Sequence, residues 1–365
     1  MINRKLLLTL GAGLIFSLSC AAEDGSGQAG AYLKMGVGAR ALGMGGAFSA
    51  IADDATASFW NPAGLSQLSS SEIDTMHTVL KMDRTYNFIN YVQPDKKRKS
   101  SWGVAYTRFG VDDLAETHIW RYKDAADKAA NIIRRDLVYG EAVTTNDGKV
   151  LPVLKGDAAF DAQFKNVYTG NCSYNDWKTW RAGAGINEDI DVFSVFNDTE
   201  WAFAVSYAQQ MNNPKCLLGA NLKYLKQDLF TYSADSWSWD LGMLYKATPK
   251  FNYALTFKDL AAGLKWDTPS GTEDKIPVTS TLGLAYFPNK SINVALDYSK
   301  VQNGEGSLHF GVEGFIKDKF GLRAGDDDGD FTMGASFKSN AWRFDYAFRD
   351  QTLGNEHRMS ANYRF

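Results

Sequence analysis

From Glu72 to Phe365 the chain is a succession of short runs in which apolar and polar residues alternate, separated by Gly, Asn, Asp, Pro and Lys. A period of two puts successive side chains on opposite faces of a strand. Fourteen runs read as strands: 72–80, 85–93, 100–109, 200–210, 216–226, 236–247, 250–258, 279–287, 291–300, 307–316, 319–324, 331–338, 341–349 and 356–365. In one, Trp201, Phe203, Val205 and Tyr207 share a face opposite Ala202, Ala204, Ser206 and Ala208. In another, Trp342, Phe344, Tyr346 and Phe348 oppose Arg343, Asp345, Ala347 and Arg349.

A soluble β-sandwich would alternate in the same way, but its strands average about 5–6 residues. Most of these runs are nearer the roughly 9–11 residues that a tilted membrane strand needs. The polar face also carries charges able to pair with one another: Asp240, Asp297, Glu313, Arg323, Arg343, Asp345, Arg349 and Arg358. That suits a polar lumen with the aromatic face turned to lipid.

The connections sort by length. Pro94–Lys99, Met211–Lys215, Thr248–Pro249, Pro288–Lys290, Lys317–Asp318 and Ser339–Asn340 are all short and fall at one end. The long connections, Gly110–Thr199 and Asp259–Val278, fall at the other. Bacterial barrels keep short turns at the periplasmic end and longer loops outside. The expectation is an all-β fold: a 14-stranded antiparallel transmembrane β-barrel over residues 71–365, with a long external insert at 111–198. Within the insert Asp124–Asp136 reads as helical, and its length suits an external cap or binding surface.

The N-terminal part behaves differently. Residues 1–22 read as a signal peptide, with a charged start (Arg4, Lys5), the apolar run Leu6–Leu18 and small residues before the cleavage point. Cys20 offers a lipoprotein alternative, although position 17 is Ser rather than Leu. Residues 23–70 contain Gly36–Gln67, rich in Gly and Ala, poor in charge and patterned neither as a surface helix nor as a strand. Such a stretch would not fold alone and is expected to be an N-terminal hatch or plug within the barrel. Asp53 and Asp54 stand inside it; if buried they need a partner, Arg40 or a lumen arginine, and otherwise they mark a helix terminus.

Composition narrows the class. The mean hydropathy is −0.30, and no window approaches a transmembrane helix, yet 10 Trp, 17 Tyr and 22 Phe are present, as a barrel with alternating strands requires. A net charge of −3 gives no case for a nucleic-acid partner. After signal removal Cys172 and Cys216 remain, on opposite ends by the strand count, so no disulfide between them is expected.

No catalytic constellation, cofactor motif or metal-ligand spacing is found. His77, His118, His309 and His357 are scattered, with His309 and His357 assigned to the lumen's polar network. Gly325–Asp330 offers hard oxygens for calcium, or is simply a hairpin tip.

These residues carry a resemblance. Gly38-Ala-Arg-Ala-Leu-Gly-Met-Gly-Gly-Ala-Phe48, Ala52-Asp-Asp54, Phe59-Trp-Asn-Pro-Ala-Gly64, Trp102–Tyr106, Gly321–Gly325, Asp345–Phe348 and His357–Ser360 resemble the PorV/PorQ outer-membrane proteins, within the FadL-type barrel superfamily. The resemblance implies a bacterial outer-membrane barrel whose hatch is closed by Asn61-Pro62-Ala63, with Trp60, Gly64, Asp53 and Asp54 beside it. It implies action at the cell surface in type IX-like protein secretion, with secreted proteins or secretion machinery as partners. The alternative is a hatch-gated channel for hydrophobic small molecules such as fatty acids. A purely structural role is a third reading.

Overall fold

The computed structural model describes residues 29–80, 84–121, 134–135, 142–144, 150–152, 189–230, 232–268, 271–350 and 355–365. The signal-peptide reading, Cys172 and His118's side chain lie outside what is described. The chain divides into two compact units, one built from residues up to 112 with 197–365, the other from 113–196.

The first unit is a closed ring of fourteen antiparallel strands. In chain order they are β1 (Glu72–Val79), β2 (Arg84–Asp95), β3 (Ser100–Arg121), β4 (Asp189–Gln210), β5 (Cys216–Leu229), β6 (Tyr232–Thr248) and β7 (Phe251–Leu260). The ring continues through β8 (Thr279–Asn289), β9 (Ile292–Val301), β10 (Gly306–Ile316), β11 (Phe320–Asp327), β12 (Asp330–Ser339), β13 (Trp342–Arg349) and β14 (Glu356–Arg364). β14 returns to β1, with Glu72 opposite Arg364 and Thr78 opposite Arg358. Closure leaves no strand edge unpaired, the condition for crossing a membrane with strands. All fourteen expected strands are present.

Two expectations about the insert change. Residues 111–121 and 189–198 are not loop but continuations of β3 and β4. Arg134 and Arg135, read as helix, form a short strand paired with Trp120 and Arg121; the rest of Asp124–Asp136 lies outside the described residues. Within 113–196, Ala142–Thr144 and Val150–Pro152 pair as a small hairpin.

Alternation decides which face is which. Along β6 Trp237 and Trp239 are 58% and 49% exposed while Ser238 and Asp240 are buried. A continuous outer face of exposed Trp, Phe, Leu and Met is compatible with lipid and not with water. The inner face is small or polar, and residues 29–68 pack against it. Their elements are short: Ala31–Lys34 and Pro62–Gln67 are 3₁₀ turns, and Ala39–Leu42 and Ala57–Trp60 are single α turns. The apolar clusters form where this segment meets the strands: Val37 and Leu42 with Met76 and Phe88, Phe48 and Ile51 with Leu217 and Leu244, and Leu65 with Val92.

Candidate functional site

The site is the meeting of residues 36–68 with the inner face of the strands. Short helical turns leave many backbone groups without intrahelical partners, so the segment relies on strand side chains to satisfy them. The Asp297 carboxylate on β9 accepts the Phe48 and Ser49 N–H groups at 3.0 and 2.8 Å. Ser360 on β14 accepts from the Ala39 N–H at 3.1 Å, and Glu72 on β1 from the Ala55 N–H at 3.1 Å. Arg358 donates to the Met35 and Gly36 carbonyls at 2.9 and 3.2 Å and pairs with Glu356.

Charge concentrates around Arg40, which is buried. Its guanidinium pairs with Glu313 on β10 at 2.8 Å, Asp53 at 2.5 Å and Asp54 at 3.0 Å. Glu313 also meets Arg323 on β11 at 3.0 Å and accepts from Asn293 at 2.9 Å. Arg323 and Arg343 both reach Asp345, at 3.2 and 2.7 Å, and Arg343 returns to Asp54 at 2.9 Å. The network thus runs from the N-terminal segment through three strands and back to the segment. Burying such charges is tolerated only with this degree of pairing.

Full burial alone would favour the neutral acid at Asp54, but the guanidiniums of Arg343 and Arg40 and the Thr56 hydroxyl hold its carboxyl well below the usual carboxylate range. A carboxylate depressed in the folded state adds stability above its unfolded value of about 3.9, and that stability is lost as pH falls through the folded value. The hydrogen-exchange protection factor of the Thr56 amide, which donates to Asp54 at 3.1 Å, is therefore expected to hold at about pH 5 and to fall only well below about pH 4. A protection factor already lost at about pH 6 would contradict this assignment.

Asn61 is buried, extended at φ −158°, and followed by Pro62 at the first position of its 3₁₀ turn. Proline at that position has no N–H to leave unpaired. The Asn61 amide donates to the Ser49 carbonyl at 2.9 Å and to the Met243 carbonyl on β6 at 3.2 Å, while its oxygen accepts from the Ala63 N–H at 3.1 Å. One side chain therefore ties two parts of the segment to the wall. The close approach depends on recesses in the strands. A Cβ on Gly242 would strike the Asn61 amide oxygen and Pro62, and one on Gly219 would strike the Pro62–Ala63 peptide. Gly64, Gly283, Gly311 and Gly325 are equally crowded, by Ala52, Ser49 and Met44.

Above this anchored floor lies a cavity of about 200 Å³. Leu42, Phe59 and Trp60 line one side; Thr281, Asp297 and His309 line the other. Trp60 is oriented by its indole N–H, which donates to the Val37 carbonyl at 2.9 Å. Lys258 lies with its Nζ 4.3 Å from the Phe59 ring centre and 5.3 Å from that of Trp60. A register shift between Phe257 and Leu260 interrupts the β6–β7 pairing there; bulges re-aim side chains in this way. Asp259, beside it, pairs with Lys223 at 2.5 Å, and Lys223 also pairs with Asp240 at 2.6 Å.

Some sequence-predicted residues sit elsewhere. Arg349 pairs with Asp327 and Asp330 near the β11–β12 turn, apart from the Arg40 network. His309 reaches Asp327 at 2.7 Å and the Gly45 carbonyl at 3.1 Å. His357 is not in the lumen: it is exposed on the outer face, 2.7 Å from the Tyr346 hydroxyl. Gly325–Asp330 is a tight hairpin whose carboxylates serve the chain itself. Asp326 accepts from the Gly329 N–H, and Asp327 and Asp330 are paired with Arg349. No group of three potential metal ligands occurs among the described residues. Sequence reasoning missed Lys223, Lys258, Asp259 and the recess glycines; the available signal was glycine at inward positions of the alternation.

With this geometry in hand, the chain can be set beside known proteins. Its structure superposes on that of the Ralstonia pickettii toluene transporter TbuX with a TM-score of 0.51 at 13% identity, over 90% of this chain and 98% of TbuX. A deletion mutant of the TodX monoaromatic hydrocarbon channel gives 0.51 at 14% identity, over 90% and 98%. A Pseudomonas aeruginosa FadL homologue gives 0.49 at 11%, over 87% and 96%. The fold is that of a β-barrel like those of TbuX and TodX. Residues 20–128 match the uncharacterised protein family UPF0164, a match that spans less than half the chain. No curated protein sequence matches. None of these matches carries the PorV/PorQ assignment, and these neighbours are channels and transporters rather than enzymes.

Proposed function

We propose that the protein is an outer-membrane channel for hydrophobic small molecules, in which residues 36–68 are the plug and Asn61-Pro62 its point of attachment. The observation that carries this reading is the cavity between Trp60 and the β8–β10 wall. At about 200 Å³ it exceeds the roughly 150 Å³ of a dry apolar cavity that takes up benzene. Phe59, Trp60 and Leu42 supply the apolar contact that a hydrophobic solute needs, and the hydroxyls and charges opposite would orient it. That TbuX and TodX carry toluene and monoaromatic hydrocarbons supports the solute class.

In this mechanism the solute enters from the end with the long connections, rests against Trp60, and passes when the plug shifts. Trp60→Ala removes a face of the cavity, and because the ring is half-buried the change costs only part of the roughly 3–5 kcal/mol of a fully buried aromatic truncation. Uptake of a radiolabelled monoaromatic probe by cells expressing the variant is expected to fall at least tenfold at limiting concentration. Uptake equal to that of cells lacking the protein, in the wild type itself, would sink the channel reading.

The secretion reading rests on the PorV/PorQ-like motifs at 38–64 and on the insert, and no contact described above favours it. It would be revived if secreted proteins co-purified with the barrel and were lost on deleting residues 122–188.

A further inference from the structure

The two ends of the barrel differ in charge, and the difference coincides with an aromatic belt. At the short-turn end the outer face carries paired rings: Phe251–Tyr286 at 4.7 Å, Phe320–Phe337 at 5.3 Å and Trp342–Tyr363 at 4.6 Å between centres. Aromatic girdles of this kind lie at the level of the lipid headgroups. Immediately beyond it, five of the six short connections present exposed lysines: Lys96, Lys97 and Lys99 in the first, then Lys215, Lys250, Lys290, and Lys317 with Lys319. Lys250 directly precedes Phe251 and Lys319 directly precedes Phe320. Among the described residues none of the eight ammonium groups has an ion-pair partner, and Lys215 donates to the Ala247 carbonyl at 2.8 Å. In the described connections of the opposite end acids outnumber bases: Asp267, Glu273, Asp274, Glu305, Asp328 and Asp350 against Lys265 and Lys275.

We infer that the short-turn end is a binding ring for the anionic phospholipid headgroups of the leaflet it faces. The lysine stems are long enough to lie along the belt while each ammonium reaches the phosphate level. Their spacing around the perimeter fits a ring of separate headgroups rather than one compact anion, since the turns that carry them are set apart by pairs of strands. Each lysine at an anionic bilayer surface is worth on the order of a fivefold preference at low salt. The ring would also set which way the barrel sits, because turning it over would put the acidic end against the same leaflet. The inference depends on the barrel fold and not on what the channel carries.

The test uses the full-length protein reconstituted in phosphatidylcholine bilayers, with spin-labelled phosphatidylglycerol or phosphatidylcholine reporting lipid at the protein perimeter. Several-fold selectivity for phosphatidylglycerol is expected at low salt, falling towards none at about 1 M salt, where screening reaches within a few ångströms. A variant with all eight lysines changed to glutamine is expected to lose the selectivity, and one with all eight changed to arginine to keep it. No selectivity in the wild type, or selectivity that survives the glutamine variant, overturns the inference. So does displacement by millimolar inorganic phosphate, which would assign the ring to free anions. If the glutamine variant does not fold, salt decides: selectivity in the wild type that ignores salt overturns the proposal.

Discussion

Replacing Arg40 by alanine is expected to free the N-terminal segment from the barrel wall while leaving the barrel folded. Arg40 joins Asp53 and Asp54 of the segment to Glu313 of β10, at 2.5, 3.0 and 2.8 Å. Its removal leaves Glu313 with Arg323 and Asp54 with Arg343, each carboxylate losing one of its two guanidinium partners. Breaking a buried pair from one side costs about 3–5 kcal/mol, because the remaining charge stays desolvated. At about 1.4 kcal/mol per factor of ten, the docked state should lose more than a hundredfold in population. The strands keep their ladders, so the barrel should still resist heat and detergent. Two measurements read this together: protease cleavage within residues 36–68, which should become fast, and single-channel conductance in planar bilayers, which should show frequent openings. Arg40→Lys keeps the charge but loses the two-pronged contact with Glu313 and should fall between. Unchanged cleavage and a silent conductance trace in Arg40→Ala would show that the network does not hold the segment.

The second large effect is expected from the wall rather than from the segment. Gly242→Val fills the recess that receives Asn61 and Pro62, where a Cβ has the Asn61 amide oxygen and the Pro62 ring within contact distance. Overpacking costs about 1–3 kcal/mol. Pushing Asn61 away also breaks its bonds to the Ser49 and Met243 carbonyls, leaving buried polar groups unpaired at a further cost of about 1–3 kcal/mol. Gly242 otherwise sits in a regular β6 ladder opposite Gly219 and Thr256, so strand pairing tolerates the change. Protease cleavage within residues 58–66 offers the measurement, because it needs no change at the recess. Cleavage should be slow in the wild type and at least tenfold faster in Gly242→Val. Equal cleavage would mean that the recess does not position Asn61.

The wall and the segment differ in how far they were legible. The strands were readable because their period of two records burial directly: Ser238 and Asp240 go in, Trp237 and Trp239 go out, and no distant residue is needed to say so. The even count and the sorting of connections followed from chain order alone. The insert was misread at its edges because β3 and β4 run on past the alternating stretch, to Arg121 and from Asp189. His357 was misplaced because one histidine fits either face. It follows Glu356 and precedes the buried Arg358, which puts it outward by parity alone.

The sequence by itself therefore determined a barrel of fourteen strands, the orientation of each strand's faces, and a segment that fits neither the strand nor the surface-helix pattern. Those are local properties, written at a spacing of two residues or in the absence of any spacing. Only the tertiary structure decided that Arg40 meets Glu313 some 273 positions away and that Asp297 caps the Phe48 and Ser49 amides. It also decided that glycines on β5, β6, β8, β10 and β11 are the seats for the segment's backbone. Ring closure and strand stagger bring these partners together, and neither is encoded in any one stretch of chain. Gly36–Gln67 shows the division most plainly: its composition said that it needed a host, and the inner face of the barrel supplied the partners that hold it.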